Sequence, residues 1–378
     1  MANLNKTSFA VSVTPKVSLD VSDGLYQAQT VIQENVRKSL GGNGEITGDD
    51  VIIMDTNNNG STYVYIAIRR PDGYVGKPPE LGTGVFAMDT GAGSSTIPNF
   101  DSGFPVDWSL YREPASVGAW VSGARMTGIY TMQTNANYAQ TDYSNWVWDS
   151  NVGWCKDGSN SALQSWMFKR HAGFDVVTYT GDGVSGHEIR HNLNKIPEMA
   201  WIKDRDGTND WGVYHKDTHS SIPEKYSLKL NEEDDRSYVG DGWFFPPTST
   251  TFKLGVDYTV NQVNKQYLML LFASVDGISK VGSYSGSDST KNITDVGFQP
   301  RFLILKNITT GGEGYNWYVF DTTRGWGSGA DKALMLDDTA AQLTSTDYGA
   351  PTSTGFDLVG NKGGTNDAGQ TYIYYAHA

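Results

Sequence analysis

Three stretches of this chain repeat one pattern, a strand that ends in a turn of small residues: FAMDTGAGSSTIP at residues 86–98, VVTYTGDGVSGHEI at 176–189 and KVGSYSGSDSTKNI at 280–293. A proline, an alternating strand and a tryptophan follow each stretch. The recurring prolines are Pro105, Pro197 and Pro300, and the recurring tryptophans are Trp120, Trp211 and Trp317. The copies begin roughly 90 to 105 residues apart, which is the size of a small domain and longer than a solenoid repeat. The chain is therefore a tandem array of similar units.

The repeat divides the chain into three complete units, at residues 73–171 (unit 1), 172–278 (unit 2) and 279–378 (unit 3). Residues 1–72 match only the second half of a unit. Glycine, tyrosine and tryptophan are abundant, at 43, 21 and 11 residues, and they suit tight turns and half-buried strands. We predict an all-β fold of tandem, jelly-roll-like β-sandwich units, with three full copies and an N-terminal partial copy. The recurring tryptophans are expected in the cores.

The N-terminal region allows alternative structures. Residues 1–20 alternate between apolar and polar side chains, with Pro15 as an interruption, which predicts a strand at a sheet edge. This strand would either complete the partial unit or dock on the sheet edge of a neighbouring protein. Residues 24–40 fit a helical stripe, while the repeat makes residues 24–30 a strand.

Charge and hydropathy exclude several classes of function. The formal net charge is -13, so most of the surface repels the phosphates of nucleic acids, and we expect no nucleic-acid partner. No run of about 18 apolar residues is present, so we expect no insertion into a membrane. The first residues show no secretory signal, and synthesis in a cytosol is expected. Cys155 is the only cysteine, which excludes an intrachain disulfide; it is expected to be a buried bystander.

The pentapeptide HEIRH at residues 187–191 matches the H-E-x-x-H motif of zinc proteases. That motif works on a helix, which places both histidines one turn apart and the glutamate beside the zinc-bound water. Here Ile189 aligns with Ile97 and Ile293 in the other units, so a strand is predicted. Histidines four residues apart on a strand are separated by about 13 Å, too far to chelate one ion. We therefore predict no zinc at this motif.

The loop DRDGTND at residues 204–210 combines carboxylates and a glycine in the manner of a calcium loop. An EF-hand requires a bidentate glutamate at the twelfth position, which is His215 here. Two interpretations stay open: a hairpin turn rich in Asx residues, or a loosely held surface calcium ion. We predict that the protein has no resident metal or other cofactor.

Catalytic signatures are missing from the sequence. It contains no G-x-S-x-G, no Walker loop and no G-x-G-x-x-G that opens a helix. The recurring turn glycines, Gly181 and Gly286, are explained by backbone turns that need a positive φ. With 42 acidic residues, the sequence does not single out a carboxylate pair spaced for glycoside hydrolysis. We predict that the protein is not an enzyme.

Several aromatic residues occur in one unit only, within loops rich in glycine and aspartate. They are Trp146, Trp148, Trp243, Phe244, Phe245 and Trp326. Flat rings in such loops stack on sugar faces or fill a pocket of a partner protein. Local packing is the alternative explanation. These six residues are the candidate binding residues.

A set of spaced segments carries a family resemblance. The segments are WMFKRHAGFDVVTYTGDG, HNLNKIPEMAWIKDR and WGVYH; a next copy in SKVGSYSGS, GFQPRFLILKN and WYVFDTTRG; and a preceding copy from GSTYVYIAIRRPDG through GFPVDWSLYREP. Together they resemble structural proteins of tailed bacteriophages, especially marine and cyanobacterial phages, which are often described as tail-fibre or concanavalin-like domains. The resemblance covers roughly residues 50–378.

The resemblance implies a virion component that is synthesised in the host cytoplasm. It implies a tail-associated or fibre-associated protein whose partners are other virion proteins and a host-surface glycan. Two alternatives stay open: a capsid decoration or structural protein without a receptor role, and a polysaccharide-degrading enzyme. Fibre tips usually form homotrimers, whereas three units in one chain can present a pseudo-threefold surface as a monomer.

Overall fold

The structure is a computed structural model. It describes residues 79–378, apart from residues 94–96, 144, 157–160 and 313. The predicted partial unit at residues 1–72, with its expected strand over 1–20 and helix over 24–40, lies outside the described residues. Within the described part of the chain, no helix is long and apolar enough to cross a membrane.

Unit 1 contains nine strands. They are β1 (Phe86–Thr90), β2 (Phe100–Asp101), β3 (Trp108–Arg112), β4 (Val121–Ala124), β5 (Tyr130–Gln133), β6 (Thr141–Asp142), β7 (Trp146–Val147), β8 (Gly153–Lys156) and β9 (Gln164–Phe168). A six-stranded sheet has the order β1-β9-β3-β4-β5-β6, and a three-stranded sheet has the order β2-β8-β7. Short 3-10 helices lie at Gly82–Gly84 and Arg125–Thr127.

Unit 2 contains eight strands. They are β10 (Phe174–Thr180), β11 (His187–Arg190), β12 (Met199–Asp204), β13 (Gly212–His215), β14 (Tyr226–Lys229), β15 (Ser237–Tyr238), β16 (Thr251–Leu254) and β17 (Gln266–Phe272). The six-stranded sheet has the order β10-β17-β12-β13-β14-β15, and β11 pairs with β16 in the small sheet. A 3-10 helix lies at Pro223–Lys225 and one helical turn, α1, at Tyr258–Asn261.

Unit 3 repeats the arrangement of unit 1. Its strands are β18 (Ser279–Ser285), β19 (Lys291–Ile293), β20 (Phe302–Asn307), β21 (Tyr318–Asp321), β22 (Asp331–Met335), β23 (Leu343–Thr346), β24 (Pro351–Thr352), β25 (Gly355–Leu358) and β26 (Thr371–His377). The sheets have the orders β18-β26-β20-β21-β22-β23 and β19-β25-β24. All strand pairs in the three units are antiparallel. The predicted all-β fold of three tandem β-sandwich units is confirmed.

The large sheets are buried on both faces. Along β12, Met199 and Trp201 face a central core that all three units share, while Ala200 and Ile202 face the sandwich core of unit 2. Successive side chains of a strand point to opposite faces, so a strand with two buried faces is apolar along its whole length. Units 1 and 3 have sandwich cores of their own. The described part of the chain therefore has one shared core, one sandwich core in each unit, and a small further cluster of Val85, Ala172, Val275 and Ile278.

The recurring tryptophans join each unit to a neighbour. Each indole N–H donates a hydrogen bond to a backbone carbonyl at an equivalent strand end of another unit. The bonds run from Trp120 to Met335 (2.5 Å), from Trp211 to Gln133 (2.8 Å) and from Trp317 to Lys229 (2.9 Å). Unit 1 thus bonds to unit 3, unit 2 to unit 1 and unit 3 to unit 2. Because these contacts close a cycle, the three units are arranged with pseudo-threefold symmetry.

Three buried cations lie at equivalent positions, and two of them, Arg112 and Lys203, reinforce the contacts between units, whereas Lys306 donates to the Tyr315 carbonyl of its own unit. Arg112, Lys203 and Lys306 occupy equivalent positions in β3, β12 and β20, and their exposed fractions are 1%, 0% and 0%. The Lys203 ammonium donates to four backbone carbonyls, one of them from Asn137 in unit 1. Arg112 donates to the carbonyls of residues 338–340 in unit 3. Carbonyl oxygens therefore replace the water that a buried cation loses.

Candidate functional site

The solvent-facing loops of unit 3 form an open groove. A groove of about 470 Å³ lies among the loops that follow β18, precede β21 and precede β26. Two carboxylates, from Asp288 and Asp367, line it together with the ring of Tyr315 and the amide of Asn361. Glycines complete the lining, so backbone is within reach of a ligand. We call this site the unit 3 groove.

A buried amide holds the loops of the groove in place. Asn366 is fully buried, and its Oδ1 accepts from the Ser287 backbone N–H at 3.1 Å. Its Nδ2 donates to the carbonyls of Ser289 at 2.7 Å and Gly360 at 3.1 Å. The bonds to Ser287 and Ser289 join two loops and the bond to Gly360 closes one loop on itself, so the groove is preformed.

Gly286 and its unit 2 equivalent, Gly181, occupy positions that have no room for a Cβ atom. A Cβ at Gly286 would collide with the backbone carbonyl of Asp367, and a Cβ at Gly181 would collide with that of Gln262. Neither glycine is among the residues with positive φ. The expected explanation, a positive φ, is therefore wrong for Gly181 and Gly286. The actual reason is the close approach of two backbones, which only glycine permits.

The carboxylates of the groove are positioned by neighbouring donors. The Ala368 backbone N–H donates to Asp288 Oδ1 at 2.9 Å, and Asp288 has a φ of 55°. Partial burial, and then the charge and hydrogen bond of Asp367, raise the pKa of Tyr315 above its ordinary value. The phenol therefore keeps its proton and presents a neutral ring beside a carboxylate. This combination of ring and acceptors is suited to sugar hydroxyls.

The equivalent loops of unit 2 are held together by the same kind of buried asparagine, but they present a different surface. Asn261 is buried and bonds to Asp182 and Val184, as Asn366 does to its own loops. Around this asparagine four apolar side chains are 56% to 61% exposed. They are Val184, Val256, Tyr258 and Val263, and we call them the unit 2 patch. One fold thus carries a polar groove in unit 3 and an apolar patch in unit 2.

Five of the six aromatic residues predicted to bind are distributed over three separate cores. Trp146 and Trp148 pack with Trp154 in the core of unit 1, where Trp146 and Trp154 stack with centroids 4.3 Å apart. Trp243 and Phe244 lie in the core of unit 2, and Trp326 lies in that of unit 3. Phe245 is half-buried. All eleven tryptophans of the chain are at most 9% exposed. The five buried rings therefore fit the packing alternative, because a buried ring offers no face to a sugar, while for Phe245 the predicted binding role stays a prediction.

The H-E-x-x-H pentapeptide lies on a strand. Its first four residues form β11 and pair with β16. His187 Nδ1 lies 3.0 Å from Asn261 Oδ1, and His191 Nε2 lies 3.2 Å from the Thr248 carbonyl. Glu188 forms an ion pair with Lys253 at 2.7 Å. The predicted strand is confirmed, while the prediction that the motif binds no zinc stays a prediction.

The loop at residues 204–210 is an Asx-type hairpin turn. Asp204 Oδ1 accepts from the Asp206 backbone N–H at 2.9 Å, and Asp204 Oδ2 accepts from Asn209 at 2.7 Å. Asp210 forms an ion pair with Lys229 at 2.9 Å. The carboxylates thus bind within the protein. Over the described ranges, no group of three or more His, Cys, Asp or Glu side chains is arranged to hold a metal ion.

Sequence reasoning missed the groove. Its residues differ from those at the same place in unit 2, where VDYTVNQVN stands in the position of the glycine-rich stretch VGNKGGTNDAG at residues 359–369. A comparison of corresponding loops between repeats was the available signal. The recurring residues led to the shared core, whereas the diverged loops contain the site.

Comparison with known proteins gives a family without an assigned activity. Residues 117–378 match the model of a domain of unknown function, DUF7483. The chain belongs to this family. The match covers part of unit 1 and all of units 2 and 3. No curated protein matches the chain, and no solved structure matches it.

Proposed function

We propose that this protein is a non-enzymatic component of a bacteriophage particle that binds host-surface glycan, and that the unit 3 groove is its binding site. The observation that carries the proposal is the groove itself. It combines an accessible tyrosine ring, two carboxylates, an amide and glycine backbone. Protein sites for sugars need these groups, because a ring contacts the apolar face of a sugar while acceptors bind its hydroxyls.

The interlocked architecture also supports an adhesion role. Indole hydrogen bonds join the three units in a closed cycle. A preformed site on a rigid scaffold loses little conformational entropy when it binds a ligand. The sequence resemblance to phage tail-fibre proteins points in the same direction. The position on the particle, in the tail or in the fibre, is part of this proposal.

Binding to purified polysaccharides tests the function. We expect Tyr315→Ala to weaken glycan binding at least tenfold on a glycan array and in calorimetry, because the stacking ring is lost. Tyr258→Ala is the matched control, since Tyr258 is an exposed tyrosine of the equivalent loops in unit 2. Equal effects of the two substitutions would argue against the groove. Release of reducing sugar during the incubation would favour a polysaccharide-degrading enzyme instead.

The unit 2 patch favours a second candidate, a decoration or structural protein without a receptor role. Four strongly exposed apolar side chains on loops that Asn261 joins favour a contact with another protein. In this case Val184→Ser combined with Val263→Ser reduces incorporation into particles, whereas Tyr315→Ala does not. Immunogold labelling of assembled particles distinguishes the capsid from the tail.

A further inference from the structure

The unit 3 groove has a uniform charge. Among the residues that the structure describes, Asp288 and Asp367 are the only ionisable ones that line it apart from the phenol of Tyr315, and no lysine, arginine or histidine of that set lines it. Lys362 follows Asn361 in the same loop, but its side chain is exposed and does not contribute to the lining. The wider surface has the same sign, because the chain carries a net charge of -13.

The side chains of the groove mostly accept hydrogen bonds. Ionised carboxylates are acceptors only, and the Tyr315 proton is directed to Asp367. The Ala368 N–H is already bound to Asp288. A ligand that fits this set of groups therefore has to supply donors, such as hydroxyl or amino groups.

The groove differs from the corresponding surface of unit 2 and is fixed in shape. Gly364 has a φ of +74°, and a Cβ there would lie 2.6 Å from the Gly314 carbonyl and 3.0 Å from the Tyr315 ring. Only glycine tolerates both the positive φ and the lack of space for a Cβ. The backbone at Gly364 can therefore pack directly against the Tyr315 ring. The corresponding loops of unit 2 present valines at the same place. The polar lining is thus a feature of these loops and not a consequence of the fold.

We infer that the unit 3 groove selects sugars that carry hydroxyl or amino donors and no acidic group, and that it rejects glycans containing uronic or sialic acids. This inference rests on the proposed glycan-binding function. A carboxylate on the sugar would lie beside two carboxylates of the protein, and like charges repel strongly at such short range. The protonated amino group of an amino sugar carries a positive charge, so the same two carboxylates attract it and strengthen its binding.

Three oligosaccharides of equal length test the inference by calorimetry at low salt: one of glucose, one of glucosamine and one of galacturonic acid. We expect the galacturonic acid oligomer to bind at least tenfold more weakly than the glucose oligomer. The glucosamine oligomer binds most tightly, and salt weakens its binding because screening reduces the attraction of opposite charges.

Two isosteric substitutions show whether the carboxylates cause the selection. Asp288→Asn and Asp367→Asn keep an acceptor oxygen for the Ala368 N–H and for the Tyr315 hydroxyl. In the double variant, the preference for the glucose oligomer over the galacturonic acid oligomer falls to less than threefold. Lys362→Gln, the control, leaves the preference at tenfold or more.

The outcomes separate this inference from the proposed function. Binding of galacturonic acid as tight as that of glucose overturns the inference and leaves glycan binding intact. An unchanged preference in the double variant also overturns it. If none of the three oligomers binds to the folded wild-type protein, the proposed function and this inference both fail.

Discussion

The contacts between units and the loops that face solvent differ in how closely the three repeats agree. At the contacts, each unit places a tryptophan and a cation at the same two positions. In the solvent-facing loops, unit 3 carries a polar groove where unit 2 carries exposed valines. The repeat is kept where the units stabilise one another and changes in the loops where we propose that the protein binds other molecules. Stability and binding are therefore assigned to different residues, and substitutions can separate them.

The largest effect is expected at the interface tryptophans. Trp211→Ala should lower the free energy of unfolding by about 4 kcal/mol, because a fully buried indole leaves a cavity in the shared core. Urea unfolding monitored by circular dichroism measures it. Trp211→Phe, which removes chiefly the hydrogen bond to Gln133, should cost about 1 kcal/mol. Trp120→Ala and Trp317→Ala should lower the free energy of unfolding as much as Trp211→Ala does. If one of the three substitutions had little effect, the contacts between the units would not form a closed cycle.

The buried cation of unit 2 should have the next largest effect. Lys203→Met leaves four carbonyl oxygens without their shared donor, and we expect a loss of about 3 kcal/mol in unfolding free energy. Lys253→Met is the control, because Lys253 pairs with Glu188 at the surface and should change stability by less than about 0.5 kcal/mol. Similar losses in both variants would contradict the role of the buried cation.

Acid should destabilise the fold through its buried histidines. Burial lowers the pKa of His215 and of His377 from 6.5 to about 3. Between these values the unfolded chain binds a proton that the folded chain does not, so stability falls as the pH drops below 6.5. His215→Asn keeps an acceptor for the Asp217 N–H and should remove about 2 kcal/mol of the loss at pH 5. Urea midpoints at pH 7 and pH 5 measure this; an unchanged difference would mean that His215 is charged in the folded state.

The smallest effects are expected in the solvent-facing loops. Asp288→Asn keeps the acceptor for Ala368, and asparagine tolerates the positive φ at this position. Tyr258→Ser removes a side chain that is 60% exposed. Each should change the free energy of unfolding by less than about 0.5 kcal/mol, as measured by thermal unfolding. A loss of more than about 2 kcal/mol in the free energy of unfolding at either position would contradict the claim that the contacts between units, and not the solvent-facing loops, stabilise the fold.

Local pattern was sufficient to predict the strands. Ile189 aligned with apolar positions of the other units, and the H-E-x-x-H pentapeptide accordingly forms a strand. The recurring tryptophans were expected in the cores, and they are buried there. Alternation and recurrence report how a residue relates to its own sheet, and both are present in the sequence before the chain folds.

Contacts between distant residues decided the rest. The positions of Gly181 and Gly286 could be read from the repeat, but their cause, the approach of a loop about 80 residues away, could not. The aromatic residues restricted to one unit, such as Trp146 and Trp326, suggested a surface and turned out to be buried, because burial depends on which sheet covers a loop. The sequence by itself determined the repeat, the positions of the matched strands and the all-β class. Only the tertiary structure determined the shared core, the cyclic contacts and the unit 3 groove, since each is formed by residues that are far apart in sequence and meet only when the units close on one another or a unit folds back on itself.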